Sequence, residues 1–158
     1  AEDGFGANFG GSSSYVPSIK AFNIERAALD WLMTMSLEKM YERFPNLRIA
    51  SVENGSTFLP DLFRKLPQQR NKLMGWFKED PLEQFKEHVW INPFWEDDPS
   101  EVADYMGSDR VIFGSDWPHI EGMPTPLDYV DELSSFDEDD RKLILHDNVL
   151  ELNTPRPT

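Results

Sequence analysis

Apolar residues along this chain follow two rhythms. Over residues 21–44 they recur near helical spacing, at Ala27, Ala28, Trp31, Leu32, Met35 and Met40, which predicts a helix. Phe44-Pro45 ends it, because a residue before proline avoids the α region. Three short runs are instead continuously apolar, at 47–52, 89–92 and 110–114. Unbroken runs of that length predict buried strands of a parallel sheet rather than half-exposed ones. Helical stretches separate them. Ser56 or Thr57 is placed to cap a helix through about residues 64–70, and Asp80-Pro81 reads as an N-cap followed by proline at the first helical position. Residues 100–106 form a helix with Gly107 at its end. Two more helices are expected over 126–133 and 137–152, the second open to interruption at Asp147-Asn148. Strands alternating with helices predict an α/β fold with a parallel sheet covered on both faces.

Composition narrows the picture. The 158 residues suit one domain, here 21–152, with a Gly/Ser-rich loop or linker at 1–20 and a frayed tail at 153–158. Fifteen Lys plus Arg against 29 Asp plus Glu leave a net charge of −14. That charge repels phosphate backbones and anionic lipid surfaces, so neither nucleic acid nor membrane is an expected partner. Cys is absent, which removes disulfides and thiolate metal sites. No run approaches the ~20 apolar residues of a membrane span, and no leader pattern opens the chain. A cytoplasmic protein acting on a small molecule is expected. The first residue is Ala, which fits a processed or truncated chain.

In parallel α/β folds functional residues collect at the carboxyl ends of strands. The first such end carries Glu53 and Asn54, the second Asn92, Phe94 and Trp95, the third Asp116, Trp117 and His119. A carboxylate at a strand tip, as at Asp116, suits a metal ligand or a general base; a turn aspartate is the plainer reading. His119 is placed to ligate, donate a proton or orient Asp116, or to be an ordinary loop histidine. Glu53 closes a buried strand, where desolvation raises a carboxylate's pKa and poises it as an acid or base; a salt bridge to Arg48 or Arg64 is its alternative. Trp90, Trp95 and Trp117 could line a pocket or simply fill a core. His88, His146 and the acidic run at 137–140 read as structural, the last as a helix start favoured by the dipole.

Arg110-Val111-Ile112-Phe113-Gly114-Ser115-Asp116-Trp117-Pro118-His119, with Glu121-Gly122 and Pro126 beyond, resembles the last barrel strand of the amidohydrolase-related proteins. These are the metal-dependent TIM barrels that include aminocarboxymuconate-semialdehyde decarboxylase-like enzymes. Residues 43–50 resemble the approach to that family's sixth strand, Glu53-Asn54-Gly55-Ser56 its end, and 80–94 the seventh-strand region. The resemblance implies the carboxyl-terminal portion of a (β/α)8 barrel, about strands six to eight. It implies that Asp116 binds a divalent metal, zinc being the expected ion, and handles protons, with Glu53 and His119 assisting. Asn54, Asn92, Phe94 and Trp117 would bind substrate. Two departures stand out. Glu53 occupies a position where many members carry a metal-site His, and the family's His-x-His and fifth-strand His have no counterpart here.

Two functions follow from the resemblance. The first is a share in a metal-dependent hydrolase or decarboxylase for a small carboxylated, amide or ester substrate, with the chain inactive by itself. The second is a non-catalytic α/β module that self-associates or joins its missing amino-terminal half through exposed strand edges. An independent doubly wound domain binding a ligand at Asp116 and Asn92 is a third possibility, for which too few strands are readable.

Overall fold

The computed structural model describes residues 19–118 and 122–155, with side chains from Arg26 onward. The Gly/Ser-rich opening through residue 18, His119 and residues 156–158 of the expected tail lie outside the described residues. Helix α1 (Ile19–Leu37) and the one-turn helix α2 (Met40–Arg43) share the stretch where spacing predicts one helix. The break falls at Lys39, whose backbone is left-handed at φ 56°, a conformation that cannot continue a right-handed helix. Strand β1 (Ile49–Ser51), helices α3 (Leu59–Lys72) and α4 (Pro81–His88), strand β2 (Val89–Ile91) and helix α5 (Pro99–Met106) follow. The third expected strand is shorter than its apolar run. A 3-10 turn takes Ser108–Arg110, and Val111 makes a single parallel bridge to Ile91. The chain continues through a 3-10 turn (Pro126–Asp128), α6 (Tyr129–Glu132), α7 (Glu138–Lys142), a π-turn (Leu143–Asp147) and α8 (Asn148–Asn153). The π-turn is the interruption anticipated near Asp147-Asn148.

Three helix starts obey the short polar residue in front of them. Asp80, Asp98 and Asp137 accept hydrogen bonds from the backbone N–H of Leu82, Ser100 and Asp140. Neither Ser56 nor Thr57 caps α3, which begins behind Phe58 with no side-chain cap. Ser56 instead donates its hydroxyl to Asp97 Oδ2 at 2.8 Å, a charge-assisted bond to a distant loop. At α5 the Ser100 hydroxyl and backbone N–H hold the Asp98 carboxyl below its ordinary value. A depressed folded pKa contributes stability that is present above the unfolded value, about 3.9, and lost as pH falls through the folded one. Asp98→Ala is therefore expected to cost about 1 kcal/mol at pH 7 and progressively less below about pH 4. Urea midpoints at pH 7 and pH 3 check this; a gap that does not narrow refutes it.

β1 and β2 pair in parallel, with Ile49 opposite Val89, Ala50 opposite Trp90 and Ser51 opposite Ile91. Ile49, Val89, Ile91 and Val111 join one core cluster with Leu32 of α1, Leu62 and Leu66 of α3, Phe85 of α4, and Val102 and Met106 of α5. Alternate strand residues point to opposite faces, so the helices cover one face of the sheet. The expected cover on both faces is not found among the described residues. On the other face Ala50 is exposed, too small to anchor a layer, and Trp90 is fully buried beneath the Arg110 guanidinium, 4.7 Å from its ring. Arg110 Nε is tied to the Lys86 carbonyl at 2.8 Å, which fixes that cation over the indole.

The far edge of the sheet is closed by the last helices. Phe113 N–H donates to the Ile144 carbonyl at 3.1 Å. Asn148 Nδ2 donates to the carbonyls of Val111 at 2.6 Å and Ser108 at 2.7 Å. Ile144 lies in the π-turn, a local departure from the regular helical ladder placed where the strand needs an acceptor.

Candidate functional site

Parallel neighbours end on the same side, so the three strand tips form one rim. At a ladder spacing of about 4.8 Å, the first and third tips lie about 10 Å apart. Each tip is shaped by short local contacts.

Behind β1, Glu53 and Gly55 both have left-handed backbones, at φ 55° and 65°. Asn54 sits between them, half-buried, and donates Nδ2 to the Val52 carbonyl at 2.9 Å and Ser51 Oγ at 3.3 Å. Its amide thus stitches the turn to the strand. Glu53 is exposed, so the desolvation expected at a buried strand end is not there: burial along β1 stops at Ser51. The two arginines weighed as its partners also bond other groups. Arg64 pairs with Asp61 at 2.6 Å, and Arg48 donates to the carbonyls of Glu151 and Thr154.

Behind β2, Asn92 is buried and donates Nδ2 to the Pro93 and Ile112 carbonyls at 3.1 and 3.3 Å. Gly114 lies against this amide: a Cβ at Gly114 would stand 2.7 Å from Asn92 Nδ2. The second and third tips close together because that position has no side chain. Phe94 is half-buried, with its N–H on Asp97 Oδ2 at 3.1 Å. Asp97 therefore joins the β1 and β2 loops through Ser56 and Phe94, a role the sequence reading missed. The Asp97-Asp98 doublet was its only signal, and nothing local says which aspartate caps and which bridges. Trp95 is half-buried and packs on the core cluster.

At the third tip Asp116 is half-buried with a left-handed backbone, φ 56°. The Ser115 carbonyl accepts from Met123 N–H at 2.8 Å, and a Cβ at Gly122 would lie 2.6 Å from the Asp116 carbonyl oxygen. The loop carrying Asp116 is thereby pinched at its base, which explains glycine at 122. Trp117 is 64% exposed, with its N–H 3.3 Å from Ser115 Oγ, and precedes Pro118 through a cis peptide. Asn92, Gly114 and the base of the Asp116 loop are thus brought together. Glu53 stands at the far end of the rim.

The remaining histidines make local contacts. His88 is buried, stacks on Tyr41 at 4.9 Å and bonds through Nδ1 to the Leu47 carbonyl at 2.6 Å. His146 is exposed and pairs with Asp147 at 2.7 Å. Tyr129 packs on Phe113 at 4.7 Å. Burial, helped by the charges of Glu132, Asp97 and Asp98, pushes its hydroxyl up to about 12, so it stays neutral. Among the described residues no group of three or more His, Cys, Asp or Glu is arranged to hold a metal ion. What the rim offers is a half-buried carboxylate, that of Asp116, on a constrained backbone. That arrangement can take up a proton or contribute one ligand to a cation.

A sequence model of the amidohydrolase family matches residues 19–152. Among solved structures the chain is similar to an amidohydrolase from Mycobacterium avium subsp. paratuberculosis K-10, at 39% identity and a TM-score of 0.82. That match covers 90% of this chain and 37% of the mycobacterial one, so the chain spans little more than a third of that protein's length. No curated protein matches.

Proposed function

Because the chain belongs to the amidohydrolase family, we propose that it forms the carboxyl-terminal part of a (β/α)8 barrel enzyme, about strands six to eight. The parallel order β1, β2 and Val111, with helices on one face, supports this reading. In a closed barrel the opposite face, here that of Ala50 and Trp90, is filled by side chains of the other strands.

The observation that carries the functional reading is Asp116, half-buried at a parallel strand tip. In hydrolysis of a small carboxylated, amide or ester substrate it takes the proton of the attacking water. It returns that proton to the leaving nitrogen or oxygen. Glu53 and His119 assist that proton transfer. Phe94 and Trp117 bound the substrate, while Asn54 and Asn92 serve it by fixing the two loops. Decarboxylation of a small acid is the second chemistry the same rim would serve.

Family membership also implies a divalent ion, with zinc expected. The described residues do not hold one by themselves; Asp116 is the ligand this chain would contribute. We place the enzyme in the cytoplasm. Among the described residues no helix is long and apolar enough to cross a membrane. The test is turnover of a panel of small amides, esters and carboxylic acids by the full-length enzyme before and after chelation. Loss on chelation, restored by zinc, is expected, and turnover indifferent to chelator overturns the metal-dependent reading.

A further inference from the structure

The last ladder bond between β1 and β2 runs from Asn92 N–H to the Ser51 carbonyl at 2.9 Å. Past that bond the two chains leave the ladder, one into the turn that ends at Ser56, the other into the loop from Pro93 to Asp98. Asp97 fastens them together. One oxygen of its carboxylate, Oδ2, accepts both the Ser56 hydroxyl at 2.8 Å and Phe94 N–H at 3.1 Å. Asp97 N–H donates back to the Phe94 carbonyl at 3.1 Å, so one residue holds both the N–H and the C=O of Phe94. Bonds to an ionised acceptor are about twice as strong as neutral ones. Each side of this clasp stands on a helix start. Beside Asp97, Asp98 caps α5 by accepting Ser100 N–H at 2.8 Å, and Val102 and Met106 anchor that helix in the core. The Ser56 carbonyl accepts Leu59 N–H at 3.0 Å where α3 begins, and Phe58 and Leu59 are buried there.

We propose that Asp97 is a positioning residue of the rim. Its carboxylate holds Phe94 at a fixed distance from the turn that carries Glu53 and Asn54, and so sets the width of the substrate opening between the first and second tips. This role rests on the reading of Phe94 as a boundary of the substrate site; the clasp of Ser56, Asp97 and Phe94 does not. Asp97 acts through Phe94, and the proton-handling carboxylate of Asp116 lies on another tip. Loosening Phe94 therefore weakens the binding of substrate and of transition state alike. Such a loss raises KM and leaves kcat near its parent value, whereas loss of a proton-transfer group lowers kcat. A carboxylate that served stability alone would show no such split.

The experiment uses the full-length enzyme and the best-turned-over member of the panel of small amides, esters and carboxylic acids. Asp97→Ala is expected to raise KM about tenfold, the loss of a charge-assisted hydrogen bond, with kcat within about threefold of the parent. Asp97→Asn offers an amide oxygen to the same two donors and is expected to restore KM. Ser56→Ala removes one of the two bonds and is expected to raise KM by less. Combined with Asp97→Ala it should add nothing, because the bond is already gone. Hydrogen exchange of the same proteins, read by mass, is expected to quicken over residues 53–58 and 93–97 in Asp97→Ala and not in Asp97→Asn. KM or exchange unchanged by Asp97→Ala overturns the proposal, as does a fall in kcat at constant KM or an additive double variant. If Asp97→Ala does not fold, an unchanged KM in Ser56→Ala overturns it. Asp116→Asn in the same assay separates the two readings. Turnover indifferent to Asp116 beside a KM sensitive to Asp97 would fault the catalytic reading and leave the clasp standing.

Discussion

In the full-length enzyme Asp116→Asn is expected to cut metal-dependent turnover by about 10²–10⁴-fold, the range for losing a positioned proton-transfer group. Asn is the informative replacement because of the backbone. Asp116 has φ 56°, and Asn, like Asp, visits the left-handed region readily, whereas most L-residues lose about 1–2 kcal/mol there. Asp116→Ala would mix that strain with the chemical loss. Asp116→Asn removes the charge and keeps the loop, so the thermal midpoint should stay within about 2 °C. Unchanged turnover, or a loss matched by unfolding, removes Asp116 from the chemistry.

The largest structural effect is expected at Trp90. Its side chain is fully buried between β1 and the third strand, with the Arg110 guanidinium 4.7 Å from the ring. Trp90→Ala should destabilise by about 3–5 kcal/mol, a large part of the 5–15 kcal/mol typical of a domain. Trp90→Phe separates two contributions. The indole Nε1 has no hydrogen-bond partner among the described residues, so replacing it removes a buried unpaired donor, and only the volume difference remains. A cost below about 1.5 kcal/mol is expected for Trp90→Phe. Urea midpoints measure both. Equal losses would show that the indole N–H does bond in the folded protein.

Much of the framework was legible because its causes are local. An unbroken apolar run marks a buried strand wherever it occurs. Asp80, Asp98 and Asp137 cap because each lies two or three residues from the N–H it bonds. The Gly-Ser-Asp-Trp-Pro-His resemblance was likewise visible, and it agrees with the family match. What the local pattern did not disclose has the opposite character. Ser56 left its helix for Asp97, 41 positions on. The run at 110–114 keeps one bridge to β2, and on its far side Phe113 and Val111 are bonded by Ile144 and Asn148, more than 30 positions on. Asn54 and Asn92 turn to the backbone carbonyls of Val52, Pro93 and Ile112. Glu53 is exposed because β1 buries only as far as Ser51.

The sequence alone determined the alternation of strands and helices, the capped helix starts, the family, and the carboxylate at the third tip. Each depends on residue type and spacing within about ten positions. Only the tertiary structure decided which strand edge is closed and which stays open, which glycines keep the loops apart from a Cβ, and which polar side chains bond the chain itself rather than face the rim. Hydrogen-bond partners tens of residues apart are chosen by which groups packing brings within 3 Å, and no local pattern encodes that choice.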